Sequence, residues 1–182
     1  MVWQFEKGQS ENRNVLYMTE IPLLHTSRLK LRRMTFEDWL PYATCMQSER
    51  AKYMGGPFTT TAAWGVFCSD HAQWDFCGCG ALMIEDRQTG LCLGQVGINA
   101  GPLFPEHELG WLVFPKVEGQ GIAFEAATAL RNWAQQAGAF RSLVSYVDPQ
   151  NERSRRLAER LGATHDDTAA KPDPTDIVYR HF

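Results

Sequence analysis

The chain has 182 residues, 44% of them apolar and 21% charged, with a formal net charge of −3. That length suits one domain with a sizeable core. The small negative charge argues against a general nucleic-acid binder, which carries a basic surplus, and no apolar run approaches the roughly 20 residues a membrane span needs.

Met1 to Pro22 lacks the basic start and apolar stretch of a secretory signal, which points to the cytoplasm. Its polar middle, Glu6 to Asn14, reads as disordered, so residues 1–22 are expected as a flexible N-terminal extension and residues 23–182 as a single domain. Met18 offers an alternative start that would make residues 1–17 an extension. The five cysteines, Cys45, Cys68, Cys77, Cys79 and Cys92, are an odd number without a signal, which fits reduced thiols. Cys77-Gly78-Cys79 has one intervening residue and no partner pair or His cluster, so no metal site is expected.

The alternating stretch Leu29 to Met34 predicts a first strand. A helix follows: Pro41 fits only a first turn, which favours Asp38 over Thr35 as its cap, and it should reach Ser48 or beyond. Gly55-Gly56-Pro57 breaks the chain. Thr59 to Thr61 can cap a second helix over about Ala62 to Trp74, with Ala63, Val66, Phe67 and Trp74 near one face. Gly80 to Glu85, a turn at Asp86 to Gly90, and Leu91 to Asn99 predict a hairpin. His107 to Val113 is the next strand. Ile122 to Ala137 is a long helix ended by Gly138, with Ile122, Ala126, Leu130, Trp133, Ala134 and Ala137 at core spacing. Ser142 to Val147 is a strand, Asn151 or a neighbour caps a short helix to Leu161, and Asp176 to Phe182 is a final strand. Hairpins mixed with strand–helix alternation predict a mixed sheet with helices on both faces.

Glu118-Gly119-Gln120-Gly121-Ile122-Ala123 stands between a strand and a helix start. Free N–H groups and the positive end of the helix dipole make such a turn a phosphate pocket, and glycines at 119 and 121 let the backbone close on a ligand. The P-loop pattern is absent, and the dinucleotide fingerprint fails because Phe124 stands where its third glycine would fall.

Four blocks, in order, resemble the GNAT superfamily of N-acetyltransferases, and most closely its ribosomal-protein N-terminal acetyltransferases and their small-molecule relatives. They are His25-Thr26-Ser27-Arg28-Leu29-Lys30-Leu31-Arg32 with Phe36-Glu37-Asp38; Leu93-Gly94-Gln95-Val96-Gly97; Glu108-Leu109-Gly110-Trp111-Leu112-Val113 with Gly119-Gln120-Gly121-Ile122-Ala123-Phe124-Glu125-Ala126; and Asn151-Glu152-Arg153-Ser154 running on to Arg160-Leu161-Gly162. The resemblance implies an α/β (α+β) fold with a mixed, mostly antiparallel sheet of about six or seven strands. It implies acetyl-CoA as donor and a primary amine as acceptor, either a protein N-terminus or a small molecule, joined in a ternary complex by a monomer or homodimer.

By the same resemblance, the pantetheine arm would lie along Leu109 to Val113, with Leu112 and Val113 as contacts and an N–H near Leu112 polarising the thioester. The pyrophosphate would sit on Gly119, Gln120, Gly121, Ile122 and Ala123. Asn151 would reach the cofactor arm or simply cap its helix. Two positions depart from the family pattern. Glu118 stands where Arg or Gln is common, and is expected to point away from the phosphates. Ala158 replaces a tyrosine acid, so Ser154 or water protonates the thiolate, or the thiolate leaves without direct help.

A neutral amine must attack, so a base helps. Glu106, His107 and Glu108 cluster before the loop, and alternation puts Glu108 with Gly110 and Leu112 on one face. Glu108 is the favoured base, against a solvated strand-end carboxylate; His107 is expected as an exposed imidazole. Trp39, Tyr42, Tyr53, Met54, Phe58, Trp74, Tyr179 and Phe182 are candidate acceptor contacts or core. The missing tyrosine and Glu118 also admit a non-catalytic CoA or acyl-CoA binding module.

Overall fold

The computed structural model describes residues 20–182, so most of the expected N-terminal extension lies outside the described residues. Eight strands form one sheet: β1 (Leu24–His25), β2 (Leu29–Arg32), β3 (Ala81–Asp86), β4 (Cys92–Asn99), β5 (Glu108–Val113), β6 (Val144–Val147), β7 (Thr164–His165) and β8 (Ile177–Arg180). Their spatial order is β1-β2-β3-β4-β5-β6-β8-β7. Every neighbouring pair is antiparallel except β5 and β6, which are parallel. The count exceeds the expected six or seven because β1 and β7 have two residues each, too few to leave an alternation in the sequence.

Four α-helices cover the sheet: α1 (Trp39–Met46), α2 (Thr60–Cys77), α3 (Ile122–Ala137) and α4 (Glu152–Arg160). On one face, Leu82, Ile84, Val96, Ile98 and Leu109 pack against Ile122, Ala126, Leu130 and Ala134 of α3. On the other, Ala81, Met83 and Leu112 pack against Tyr42, Met46 and Phe67 of α1 and α2. With both faces covered, β3 buries four consecutive residues, which is why it reads as a continuous apolar run. Ala137 of α3, expected in the core, is exposed because the helix has run past the sheet; Ala127 is buried instead.

The helix after β2 departs from expectation. Asp38 stands at the N-cap position of α1 as expected but makes no side-chain bond to it, and a 3-10 turn, Phe36–Asp38, that starts at Thr35 precedes the helix. The Asp38 carboxylate is buried because Arg32 donates two hydrogen bonds to it at 2.8 and 2.7 Å, and the Thr35 N–H a third at 2.8 Å. A carboxylate so occupied is not free to cap α1. The helix stops at Met46, short of Ser48, whose hydroxyl instead accepts the Arg50 N–H and opens a second 3-10 turn, Glu49–Met54. The second helix starts as expected on the Thr59 hydroxyl but runs one turn further, to Cys77.

Candidate functional site

The site begins where β5 and β6 part. They share a single pair, Glu108 with Val144, closed by the Val144 N–H on the His107 carbonyl at 3.0 Å. The next rung of a parallel ladder would join the Tyr146 N–H to the Leu109 carbonyl. Instead the Ser145 hydroxyl donates to that carbonyl at 2.6 Å, and the Tyr146 N–H serves the Glu108 carboxylate. With both partners taken, the strands separate and open a cavity of about 1070 Å³.

Along the opened edge of β5 the backbone alternates. The Phe114 N–H bonds the Leu93 carbonyl at 2.8 Å, so by register Leu112, Gly110 and Glu108 aim their peptide groups at β4. Trp111 and Val113 therefore aim theirs at the gap. The donor expected near Leu112 is sharpened to its two neighbours, because the Leu112 N–H belongs to the ladder with Gln95.

The glycine turn lines the same cavity, and α3 starts at Ile122 as expected. Gly119 and Gly121 have φ of 73° and 76°, a left-handed backbone that a Cβ penalises. Gly121 is the N-cap and brings no side chain to the helix start. The first helical bond is from the Glu125 N–H to the Gly121 carbonyl at 3.1 Å, so the N–H groups of Ile122, Ala123 and Phe124 precede the ladder. Glu125, an acid in this first turn, is held by the Thr26 hydroxyl at 2.5 Å and by Arg28 Nε at 2.7 Å. Arg28 also bonds the Gln120 carbonyl at 3.1 Å and so anchors the turn to the β1–β2 corner.

Glu118, expected to point away from the phosphates, lines the cavity with its carboxylate taken up by two arginines. One oxygen pairs with Arg50 and the other with Arg153 Nη1 at 2.5 Å. The residue that seemed hostile to phosphate is thus neutralised by two guanidinium groups that the sequence places 68 positions before it and 35 after it.

The three candidate bases separate cleanly. Arg180 donates twice to Glu106 at 2.9 Å, and Ser142 donates at 2.5 Å; the guanidinium holds the Glu106 pKa below its ordinary value. His107 is half-buried rather than exposed, with its ring centroid 5.0 Å from that of Phe140, and burial lowers its pKa. Glu108 faces the cavity with Gly110 and Leu112. Burial raises its pKa to about 7, while Asn99 Nδ2, donating at 2.9 Å, favours its ionised form.

A second carboxylate, Asp70 of α2, faces the same space. The Tyr42 hydroxyl and Gln95 Nε2 each donate to its Oδ2 at 3.1 Å, and burial raises its pKa to about 6. Sequence reasoning missed it, although a signal existed: Asp70 continues the apolar stripe Ala63, Phe67 and precedes Trp74 at helical spacing. A charge inside a buried stripe is worth noticing.

On α4, the Asn151 carbonyl caps the helix by accepting the Ser154 N–H at 3.2 Å, and Asn151 also lines the cavity. Both readings of that residue are compatible with the geometry, since the cap leaves its NH₂ free. Ser154 Oγ accepts from Trp111 Nε1 at 3.3 Å, which leaves the serine proton available to the cavity. Ala158 is buried with Val147, Ala163 and Tyr179 and adds no group to the site. Of the aromatic candidates, Tyr42, Tyr53, Met54 and Phe58 line the cavity. Trp74 is buried with its indole N–H on the Ala81 carbonyl at 2.9 Å, Trp39 packs on Trp64 and Phe67, and the Tyr179 hydroxyl donates to Glu159.

Among the described residues no group of three or more His, Cys, Asp or Glu could hold a metal ion, and no helix is long and apolar enough to cross a membrane.

Residues 28–164 match the family model of the acetyltransferase (GNAT) domain. A crystal structure of an acetyltransferase from Agrobacterium tumefaciens is 52% identical, covering 90% of this chain and 95% of that one, with a TM-score of 0.87. The ribosomal L7/L12 alpha-N-protein acetyltransferase RimL, solved in complex with coenzyme A, shares the fold at 17% identity and a TM-score of 0.68, over 88% of this chain and 95% of that one. The uncharacterised protein YkkB of Bacillus subtilis is 31% identical over 104 residues, which are 56% of this chain and 60% of that protein's length.

Proposed function

The chain belongs to the GNAT family of acetyltransferases, and from that membership we propose that it moves an acetyl group from acetyl-CoA to a primary amine by direct transfer in a ternary complex. The observation that carries this is the single cavity that joins the N-terminus of α3 to Glu108 through the gap between β5 and β6. Donor and acceptor can meet there without a covalent enzyme intermediate.

The pyrophosphate of the donor rests on the N–H groups from Gly119 to Ala123, as an anion at a helix N-terminus. The pantetheine arm runs along the open edge of β5, taking the peptide groups of Trp111 and Val113 as a further strand would. One of those N–H groups polarises the thioester carbonyl. Glu108 accepts the proton of the attacking ammonium or amine, directly or through a water. With its pKa near 7 it is both sufficiently ionised and sufficiently basic at neutral pH. The nitrogen lone pair adds to the carbonyl carbon, the tetrahedral intermediate collapses, and the carbon–sulfur bond breaks. Ser154 or water returns a proton to the thiolate; a simple thiol of pKa about 8.5 needs little help.

The buried Ala158 favours one alternative, a module that holds CoA or acyl-CoA without turnover. One screen separates the two. Purified protein is mixed with acetyl-CoA and, in turn, with peptides, polyamines, amino acids and aminoglycosides, and thiol release is followed. Release with at least one amine is expected. CoA binding with no release from any amine leaves the module, and no CoA binding removes both.

A further inference from the structure

Given the acetyl transfer proposed above, we infer that the acceptor is an aliphatic amine carrying a second ammonium group, with the reacting nitrogen at Glu108 and the second nitrogen at Asp70.

Charge balance is the first ground. Among the described residues, Glu106, Glu118 and Glu125 each pair with an arginine. Asp70 and Glu108 have no such partner; their hydrogen bonds come from a phenol, two side-chain amides and the Tyr146 N–H. Those partners orient a carboxylate without neutralising it. Arg153, Arg156 and Arg160, which also line the cavity, sit on α4, and Arg50 is occupied with Glu118. Asp148 and Asp176 line the cavity too: Asp148 Oδ1 accepts the Gln150 N–H at 2.7 Å within its own turn, and Lys171, bound to the Asp176 backbone carbonyl at 2.7 Å, lies near enough to favour the charged form of that acid. Asp70 and Glu108, each fixed by a neutral amide of β4, therefore await positive charge from a ligand.

Shape is the second ground. Gln95 and Asn99, which hold Asp70 and Glu108, stand on one face of β4, four residues apart, or roughly 13 Å along the strand. Between them lies Gly97, opposite Gly110 of β5. A Cβ on Gly97 would meet Ala81 at 3.0 Å, but one on Gly110 would meet only the Asn99 amide, at 3.6 Å, so the floor is open on the β5 side. The walls are Tyr42, Tyr53, Met54 and Phe58, which suit methylene groups. Two acids at the ends of an apolar-walled trough fit an alkyl chain with a nitrogen at each end.

The raised pKa values agree. Burial lifts both acids, and the charges of Asp176 and, after it, Asp70 lift Glu108 further. A dication that spans them relieves both costs at once. A monoamine leaves Asp70 unpaired.

The test compares matched acceptors with the intact protein and acetyl-CoA: cadaverine against n-pentylamine, putrescine against n-butylamine, and a peptide with an unblocked N-terminus and neutral side chains. The better diamine should show a kcat/KM about ten- to hundredfold above its matched monoamine, as expected for a hydrogen bond between charged groups. Asp70→Asn should erase that preference by raising the diamine KM, with a much smaller change for the monoamine and none in CoA binding, while Asp70→Glu keeps part of it. Equal use of diamine and monoamine by the wild-type protein overturns the inference without recourse to any variant. So does an equal loss for both acceptors in Asp70→Asn, or acetylation of the peptide alone. Thiol release from none of the amines, with CoA bound, would sink the acetyl-transfer proposal itself and the inference with it.

Discussion

The two ends of the cavity treat a carboxylate in opposite ways. At the glycine turn, Glu118 is clamped between Arg50 and Arg153, and Glu125 is held by Thr26 and Arg28. At the other end, Asp70 and Glu108 are supported only by neutral donors and keep high pKa values. Under the proposed mechanism the difference is one of purpose. A site for an anion must first silence its own acids, whereas a base must stay poised between its two protonation states. Counting acidic residues along the chain cannot distinguish these cases; their partners do.

The largest effect should come from breaking the base end alone. Glu108→Gln should lower kcat by about 10²- to 10⁴-fold at neutral pH, with the Kd for CoA unchanged by calorimetry. In the wild-type protein, activity should rise as pH passes through about 7, where Glu108 loses its proton, and the variant should lose that limb. A matching loss of CoA affinity would show that the two ends are not independent.

The phosphate end should fail differently. Gly121→Ala forces a Cβ onto a backbone with φ of 76°, at about 1–2 kcal/mol. CoA should bind about tenfold more weakly, while the KM for the amine holds. Unchanged CoA binding would separate this turn from the phosphates.

A subtler effect is expected at Glu118. Glu118→Gln leaves Arg50 and Arg153 with no carboxylate between them, so the Kd for CoA should fall about two- to fivefold at low ionic strength and return towards wild type as salt is added. Weaker binding would mean instead that Glu118 holds the arginines in the pose the ligand needs.

The smallest effect is on stability. The folded pKa of Glu108, about 7, lies above its ordinary 4.5, so the folded protein binds more protons than the unfolded chain between those values. Stability from this group is therefore present at low pH and lost as pH rises through about 7. Glu108→Gln should raise the melting temperature at about pH 8 by roughly 2–6 °C and leave it unchanged near pH 4.

Much of this molecule is legible along the chain where local rules are strong. Ile122–Ala137 was bounded by a glycine at each end and patterned at 3.6 residues, and both limits were read correctly. Alternation put Glu108, Gly110 and Leu112 on one face, and Leu112 does pack on the opposite side of the sheet from Leu109 and Val113. Where a distant partner intervened, the local rule lost. Asp38 looked like a helix cap but is held by Arg32, and Glu118 looked like a defect but is paired by Arg50 and Arg153. Asp70 was overlooked because nothing near it in sequence explains a charge in an apolar stripe; its partners are Tyr42 and Gln95.

By itself, then, the sequence determined the longer helices and strands, the glycine turn and the family, because propensity, periodicity and turn chemistry act over a few residues. Only the tertiary structure decided which acids are neutralised and which are left poised. The parting of β5 and β6, where the Ser145 hydroxyl and the Glu108 carboxylate take the next rung, likewise needed the fold. A carboxylate's pKa is set by what surrounds it in space, and in this protein those surroundings come from residues tens of positions away.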